Sequence, residues 1–120
     1  MVIYMKIGIS TREIISNINA KTNGVPFTYL NIFNQKHFPV FIDSSLKLTK
    51  ENKELLIEQI KDIKGFILPG GENVTEVDLF LIDYCYKKNI PLLGICLGMQ
   101  MAVVEFARNV LGYKDANSAI

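Results

Sequence analysis

The 120-residue sequence has no tryptophan, one histidine and two cysteines. Two cysteines, Cys85 and Cys96, are too few for a disulfide framework, and with a single histidine they do not form a metal-ligand cluster. We therefore expect no metal site. The sequence also lacks an apolar run long enough to span a bilayer and lacks the pattern of a signal peptide at its start. These absences favour a cytoplasmic protein without a membrane partner.

An excess of charge of either sign is missing as well. The 13 lysines and arginines are balanced by 12 aspartates and glutamates, which gives a formal net charge of +1. A surface that binds nucleic acid needs concentrated positive charge, so we expect no nucleic-acid partner. Hydrophobic residues make up 49% of the chain, which suffices for a core, and the length is typical of a single domain over residues 1–120.

Short apolar runs alternate with amphipathic segments along the chain. Four runs predict strands, at Met5–Ile9, Phe38–Ile42, Gly65–Leu68 and Ile90–Ile95, the last two buried on both faces. Three helices are predicted. The first runs from Thr49 to about Ile63, and its apolar side consists of Leu55, Leu56, Ile60 and Ile63. The second follows the capping-box pattern Thr75–Asp78, and the third spans Leu97–Leu111. Weaker signals predict a short helix or turn around Ile14, Ile15 and Ile18, a turn at Asn23–Gly24 and a short helix at Tyr29–Phe33. The alternation predicts an α/β fold of three layers, in which a mostly parallel sheet has helices on both faces.

Cys96 stands between a predicted strand and a predicted helix and is flanked by Gly94 and Gly98. This is the cysteine form of the G-x-nucleophile-x-G elbow, in which the nucleophile adopts a strained backbone conformation on a sharp turn. Side chains at the two glycine positions would clash across that turn. The free N–H groups and the positive dipole end of the following helix favour the thiolate. The N–H of Leu97 is then placed to donate to an oxyanion.

The loop Pro69-Gly70-Gly71 ends the neighbouring predicted strand and is expected at the same carboxyl edge of the sheet. Glycines let the backbone approach a substrate, so this loop is a candidate for a second oxyanion donor. The alternative role for a cysteine among apolar residues is that of an inert core residue. We assign that role to Cys85 and the nucleophile position to Cys96, because only the latter has flanking glycines.

The segment Gly94–Gln100 resembles the elbow of class I glutamine amidotransferases, in which a cysteine attacks the side-chain amide of glutamine, forms a thioester and releases ammonia. The resemblance is greatest to the CTP synthase type, because Glu105–Gly112 and Asp115–Ser118 continue it beyond the elbow. The stretch Gly65–Gly71 also looks like the oxyanion loop of that family. The resemblance implies a flavodoxin-like fold, Cys96 as the nucleophile, and contacts to glutamine or its oxyanion from Gly70, Gly71, Leu97, Gly98, Met99 and Gln100.

Three departures from that family accompany the resemblance. A glutamate of the family binds the amino group of the substrate, whereas Ile120 occupies its position here. The catalytic histidine and glutamate of the family lie downstream of the cysteine, beyond this sequence, so we expect a truncated, incomplete amidotransferase domain. The synthetase domain that binds ATP and UTP in that family is expected to be absent from this chain. We therefore expect no cofactor in this chain, since ATP and Mg²⁺ would belong to that domain.

The one histidine, His37, does not replace the missing base, because it precedes a predicted strand and the site lies where parallel strands end. The expected partners are therefore glutamine and a synthetase polypeptide or a complementary half-domain. An uncovered apolar sheet edge also predicts self-association or marginal stability of the isolated chain.

Two alternatives to an amidotransferase stay open. The chain could be an inactive fragment or a binding remnant of the fold. It could also be a γ-glutamyl hydrolase-like peptidase, because Met5–Ser10 with Arg12, and Tyr29–Asn31, resemble γ-glutamyl-peptide hydrolases of the same superfamily.

Overall fold

The structure is a computed structural model that describes residues 4–15, 18–33 and 36–117. Its strands are β1 Lys6–Ser10, β2 Arg12–Ile15, β3 Lys21–Gly24, β4 Phe38–Ile42, β5 Gly65–Leu68 and β6 Leu92–Gly94. Its helices are α1 Phe27–Leu30, α2 Lys50–Ile60, α3 Glu76–Lys88 and α4 Leu97–Asn109, and a 3-10 turn at Asn31–Phe33 follows α1. Within these ranges, no helix has the length and apolar character needed to cross a membrane.

Four strands form one parallel sheet in the order β4-β1-β5-β6. The chain passes from β1 to β4 in one direction, and then crosses back to β5 and β6 on the other side of β1. The direction in which the chain adds strands to the sheet therefore reverses between β1 and β5. These two strands end at Ser10 and Leu68. In open parallel sheets, ligands bind in the crevice at the carboxyl ends of the strands at such a reversal.

The three long helices pack on one face of this sheet, and α1 with the 3-10 turn packs on the other, in the α/β architecture that was predicted. Successive residues of a strand point to opposite faces. Phe66 and Leu68 of β5 accordingly join the core of the three long helices, whereas Ile67 lies in a smaller core on the opposite face. That smaller core also contains Ile9 and Phe33, with Tyr29 and Leu30 packed against it.

The long helices begin at the predicted caps. The hydroxyl of Thr49 accepts a hydrogen bond of 3.2 Å from the N–H of Asn52, and the hydroxyl of Thr75 accepts one of 3.0 Å from the N–H of Asp78. These bonds satisfy donors that the first turn of a helix leaves without partners. Helix α3 is capped at its carboxyl end by Asn89, whose φ of 56° lies in the left-handed region that commonly follows helices.

The predictions around Ile14 and Ile15 and at Asn23–Gly24 were wrong, whereas Ile18 lies in a turn, one of the two predicted alternatives. Strands β2 and β3 form an antiparallel pair in which Ile14 faces Thr22 and Asn23 faces Glu13. The isoleucines had been interpreted as a helical signal, but their branched side chains favour extended structure. Asn23–Gly24, predicted as the turn, lies inside β3 and not between the strands.

Two predictions of burial also need correction. Leu55 was placed on the apolar side of α2, yet its side chain is 69% exposed. The predicted buried strand Ile90–Ile95 is limited to β6, and Leu93 in its centre is 54% exposed. The reason is position, because β6 is an edge strand that pairs only with β5 among the described residues.

Candidate functional site

The elbow predicted around Cys96 is present at the carboxyl end of β6. Cys96 is the residue immediately before α4 and has φ 52° and ψ −109°. A non-glycine residue with positive φ is strained by about 1–3 kcal/mol and occurs most often at functional positions. The thiol-bearing residue is exposed, so its sulfur is accessible from outside.

The two flanking glycines are required by close backbone approaches. A Cβ added at Gly94 would lie 2.6 Å from the backbone nitrogen of Met99, across the turn. A Cβ added at Gly98 would lie 2.1 Å from the carbonyl oxygen of Leu68 at the end of β5. Both distances are far below van der Waals contact. The first contact allows the sharp turn, and the second brings the start of α4 onto β5.

The glycine loop after β5 lies next to this elbow. A Cβ added at Gly70 would be 3.4 Å from the Cβ of Cys96, so the two backbones are neighbours at the sheet edge. The N–H of Gly70 donates a hydrogen bond of 3.1 Å to the hydroxyl of Tyr29. Tyr29 packs against the smaller core, on the face of the sheet opposite to the three long helices. A Cβ added at Gly71 would lie 2.8 Å from Cδ of Arg12, so only glycine leaves room for that side chain.

The structure brings the remaining predicted site residues together in the first turn of α4. Leu97 and Gly98 are buried, Gln100 is half-buried and Met99 is exposed. The backbone N–H groups of Gly98 and Gln100 donate to the carbonyls of Ile95 and Cys96, both at 3.0 Å. The N–H of Leu97 is the first of the helix and has no intrahelical acceptor. Contacts of these residues with glutamine stay a prediction.

His37 lies at the end of the sheet where the parallel strands begin, opposite to the end that carries Cys96. Its Nδ1 accepts a hydrogen bond of 3.2 Å from the backbone N–H of Met5, where β1 and β4 begin. It is therefore separated from Cys96 by the length of the strands. Ile120, predicted to occupy the position of a substrate-binding glutamate, lies outside the described residues.

Arg12 and Asp78 form a buried ion pair beside the glycine loop that the sequence did not predict. Nη1 of Arg12 lies 2.8 Å from Oδ2 of Asp78, and the side chains are 6% and 0% exposed. Arg12 also lines a cavity of about 570 Å³ whose lining includes Gly71 and Thr75 but not Cys96. The pattern Thr75–Asp78 indicated only a helix cap, because the contact with Arg12 joins residues that are far apart in sequence.

Cys85 has the properties predicted for an inert core residue. It is buried in the larger core, between α3 and the sheet. Burial raises the pKa of its thiol from 9.0 to about 12, so the reactive thiolate is disfavoured. No group of three or more His, Cys, Asp or Glu residues in the described ranges is arranged to hold a metal ion.

Comparisons with known proteins agree with this architecture. The family model for class-I glutamine amidotransferases matches residues 34–119. A CTP synthase of Lactobacillus johnsonii is 46% identical over 91 residues, which are 70% of this chain and 17% of that protein. A CTP synthase of Lactiplantibacillus plantarum is 51% identical over 78 residues, 63% of this chain and 14% of that protein. The chain thus spans about a sixth of the length of these curated relatives.

One solved structure resembles nearly the whole chain. It is the glutaminase domain of Trypanosoma brucei CTPS with bound acivicin, which superposes with a TM-score of 0.68 at 25% sequence identity. The match covers 95% of this chain and 44% of that domain's chain. The shared fold therefore extends over nearly the whole of this chain and over less than half of the neighbour.

Proposed function

Because the chain belongs to the class-I glutamine amidotransferase family, we propose that it is the nucleophile-bearing portion of a glutaminase of the CTP synthase type. The observation that supports this most directly is the strained, exposed Cys96 at the start of α4, beside the loop that contains Gly70. In this proposal the released ammonia aminates UTP to CTP on a synthetase domain. ATP and Mg²⁺ would be bound by that domain and not by this chain.

The proposed reaction follows from the geometry at the elbow. The sulfur of Cys96 attacks the side-chain carbonyl carbon of glutamine, and the carbonyl oxygen becomes an oxyanion. The backbone N–H groups of Leu97 and Gly70 stabilise that oxyanion by hydrogen bonds. The thiol proton is transferred to the amide nitrogen, the carbon–nitrogen bond breaks, ammonia leaves and a γ-glutamyl thioester remains. Water hydrolyses the thioester to glutamate and returns the proton to the sulfur.

This reaction needs a base that the described site does not contain. The leaving nitrogen of an amide must be protonated, and the water that cleaves the thioester must be activated. His37 is the one histidine of the sequence and lies at the far edge of the sheet. We therefore propose that a complementary half-domain or synthetase polypeptide supplies the base. This proposal is supported by the solved neighbour, of whose chain the match covers only 44%.

A γ-glutamyl hydrolase is the second candidate, and one contact favours it. Tyr29 belongs to the segment that resembles those hydrolases, and its hydroxyl contacts the N–H of Gly70 at the site. Such an enzyme would use the same nucleophile on γ-glutamyl peptides. It would not need a synthetase domain.

Glutamate release from glutamine tests the proposal. The chain is assayed alone and with a separately expressed polypeptide that corresponds to the downstream part of a CTP synthase glutaminase domain. We expect turnover only in the mixture. The matched control is Cys96→Ser in the same mixture, which keeps the shape of the elbow and removes the sulfur.

Two results would contradict the amidotransferase proposal. Absence of glutamate in every mixture would support the inactive remnant. Turnover of γ-glutamyl peptides in preference to glutamine would support the hydrolase.

A further inference from the structure

Arg12 is the most extensively bonded buried side chain next to the candidate site. Besides the ion pair with Asp78, its Nη1 donates to the hydroxyl of Ser10 at 3.1 Å and to the carbonyl of Thr11 at 2.8 Å. Its Nε and Nη2 both donate to the carbonyl oxygen of Pro69, at 3.2 and 3.0 Å. The guanidinium therefore joins the end of β1 to the loop that follows β5. This is the crevice between β1 and β5, where the direction in which the chain adds strands to the sheet reverses.

The ion pair is poorly explained by stability alone. Burying two charges requires their desolvation, and replacing such a pair with apolar side chains is often neutral or stabilising. Oδ1 of Asp78 is moreover buried without a hydrogen-bond partner among the described residues. An unpaired buried oxygen is destabilising by about 1–3 kcal/mol. A role in the geometry of the site would explain why these charges are held here.

The bonds to Pro69 fix the orientation of one particular peptide group. The peptide between Pro69 and Gly70 is trans, since the described chain contains no cis peptide bond. In a trans peptide the carbonyl and the N–H point in opposite directions. With the carbonyl held by Arg12, the N–H of Gly70 points away from the ion pair and donates to the hydroxyl of Tyr29. The Cβ of Cys96 lies next to the same residue, 3.4 Å from the position that a Cβ on Gly70 would take.

We propose that Arg12 is a positioning residue for the oxyanion site. By holding the carbonyl of Pro69 with two donors, it keeps the N–H of Gly70 directed at the carbonyl oxygen of an acyl group that reacts with Cys96. Asp78 in turn fixes the guanidinium. The inference rests on the proposed function, because it assigns the Gly70 N–H to the oxyanion.

The opposite orientation of this peptide shows why such a restraint is needed. A flip of the Pro69–Gly70 peptide would direct a carbonyl oxygen, instead of an N–H, at the developing negative charge. It would also remove both acceptor contacts from a buried guanidinium. In the structure, the Tyr29 hydroxyl accepts this bond at 3.1 Å, and in the proposed reaction the oxyanion takes the place of that hydroxyl as the acceptor.

Two reactions of the Cys96 sulfur separate positioning from a merely structural role. With p-nitrophenyl acetate, the sulfur bonds to the carbonyl carbon, the carbonyl oxygen carries a negative charge, and p-nitrophenolate then leaves with the electrons of the broken ester bond. With iodoacetamide, the sulfur bonds to a saturated carbon as iodide leaves, so no oxyanion forms. The ratio of acylation rate to alkylation rate therefore reports on the oxyanion donors and cancels changes in thiolate content.

The experiment measures this ratio in the full chain and in variants of the pair. Arg12→Met combined with Asp78→Leu removes both charges together and leaves no unpaired ion to unfold the chain. We expect a fall in the ratio of about 10- to 100-fold, because a lost oxyanion donor lowers rates by about 100- to 1000-fold and this N–H would be misdirected but not removed. The thermal midpoint of each variant establishes that it is folded.

Partial replacements sharpen the same test. Arg12→Lys, with one compact ammonium instead of a planar fork, should give an intermediate ratio. In Arg12→Ala, guanidinium at millimolar concentration can enter from the adjoining cavity and should restore acylation without changing alkylation. A purely structural arginine would predict that alkylation and the thermal midpoint change instead.

Two outcomes overturn the proposal. A folded Arg12→Met/Asp78→Leu variant with the wild-type ratio shows that Arg12 does not position the donor, while the proposed function stands. If the wild-type chain alkylates at Cys96 but shows no acylation burst that Cys96→Ser abolishes, the oxyanion site itself is absent. The proposed function and the positioning role then fail together.

Discussion

Gly98 holds the first turn of α4 against β5, and its replacement by alanine should disturb both stability and reactivity. The added Cβ would lie 2.1 Å from the carbonyl oxygen of Leu68 and 2.7 Å from its Cβ. Ordinary contact begins near 3.4 Å, so the helix must retreat by about 1.3 Å (3.4 − 2.1). The carbonyl cannot rotate aside freely, because it accepts a 3.0 Å hydrogen bond from the N–H of Ile95.

The expected loss of stability follows from the packing that this retreat disrupts. Leu97 and Met101, on either side of Gly98, are both 2% exposed and lie in the larger core. Overpacking of a core side chain is typically destabilising by about 1–3 kcal/mol, and a clash with backbone belongs at the upper end of that range. We therefore expect Gly98→Ala to lower the free energy of unfolding by about 3 kcal/mol. Because Cys96 and the Leu97 N–H move with the helix, acylation of the thiol should fall as well.

Urea unfolding followed by circular dichroism measures the first effect, and the burst with p-nitrophenyl acetate measures the second. Gly112→Ala is the matched control, since Gly112 has φ 81° and nothing within 4 Å of an added Cβ. That control introduces backbone strain of about 1–2 kcal/mol without a clash. A Gly98→Ala variant as stable as the wild-type chain, with an unchanged burst, would refute the close approach of α4 to β5.

Four other outcomes are expected. Gly71→Ala should lower the ratio of acylation to alkylation, because its Cβ would displace the Arg12 side chain, as kinetic assays of the folded variant would show. In the native chain iodoacetamide should label Cys96 and spare buried Cys85 until urea is added, which peptide mass spectrometry resolves. The pKa of the Cys85 thiol is higher in the folded chain, so the unfolded chain loses that proton first, and urea titrations should show stability falling from pH 9 towards pH 12. Leu93→Lys on the exposed face of β6 should reduce the predicted self-association, measured by analytical ultracentrifugation; an unchanged mass distribution would contradict an interface at that edge.

The elbow could be predicted from the sequence because its determinants are local. Gly94, Cys96 and Gly98 lie within five residues, and each glycine is required by a contact at the turn or at the adjoining strand end. The helix caps at Thr49 and Thr75 were predictable for the same reason, since each hydroxyl bonds the N–H three residues later. The order of strands and helices was enough to predict the parallel sheet.

The surroundings of the elbow could not be predicted, because they depend on contacts between distant segments. Arg12 bonds a carbonyl 57 residues away, and Tyr29 accepts a hydrogen bond from an N–H 41 residues away. No local pattern specifies which of the two arginines or the five tyrosines will lie in the crevice between β1 and β5. The hairpin was missed for a different reason, because its branched isoleucines were interpreted as a helical signal although they favour extended structure.

From the position of the site on the sheet we expect this chain alone to perform one part of the proposed reaction, the acylation of Cys96 by an activated ester. We do not expect it to cleave an amide or to hydrolyse the thioester. The proposed nucleophile and both proposed oxyanion donors lie at the carboxyl ends of β5 and β6, whereas the one histidine of the sequence lies where β1 and β4 begin. An ester with a good leaving group needs no protonation of that group, but the amide of glutamine does. The chain alone should therefore release one equivalent of p-nitrophenolate from p-nitrophenyl acetate and then stop, because no base activates water against the thioester. Glutamine should not react under the same conditions until a polypeptide that contributes the base is added. Steady turnover of the ester by the isolated chain would show that a base lies closer to Cys96 than this arrangement allows.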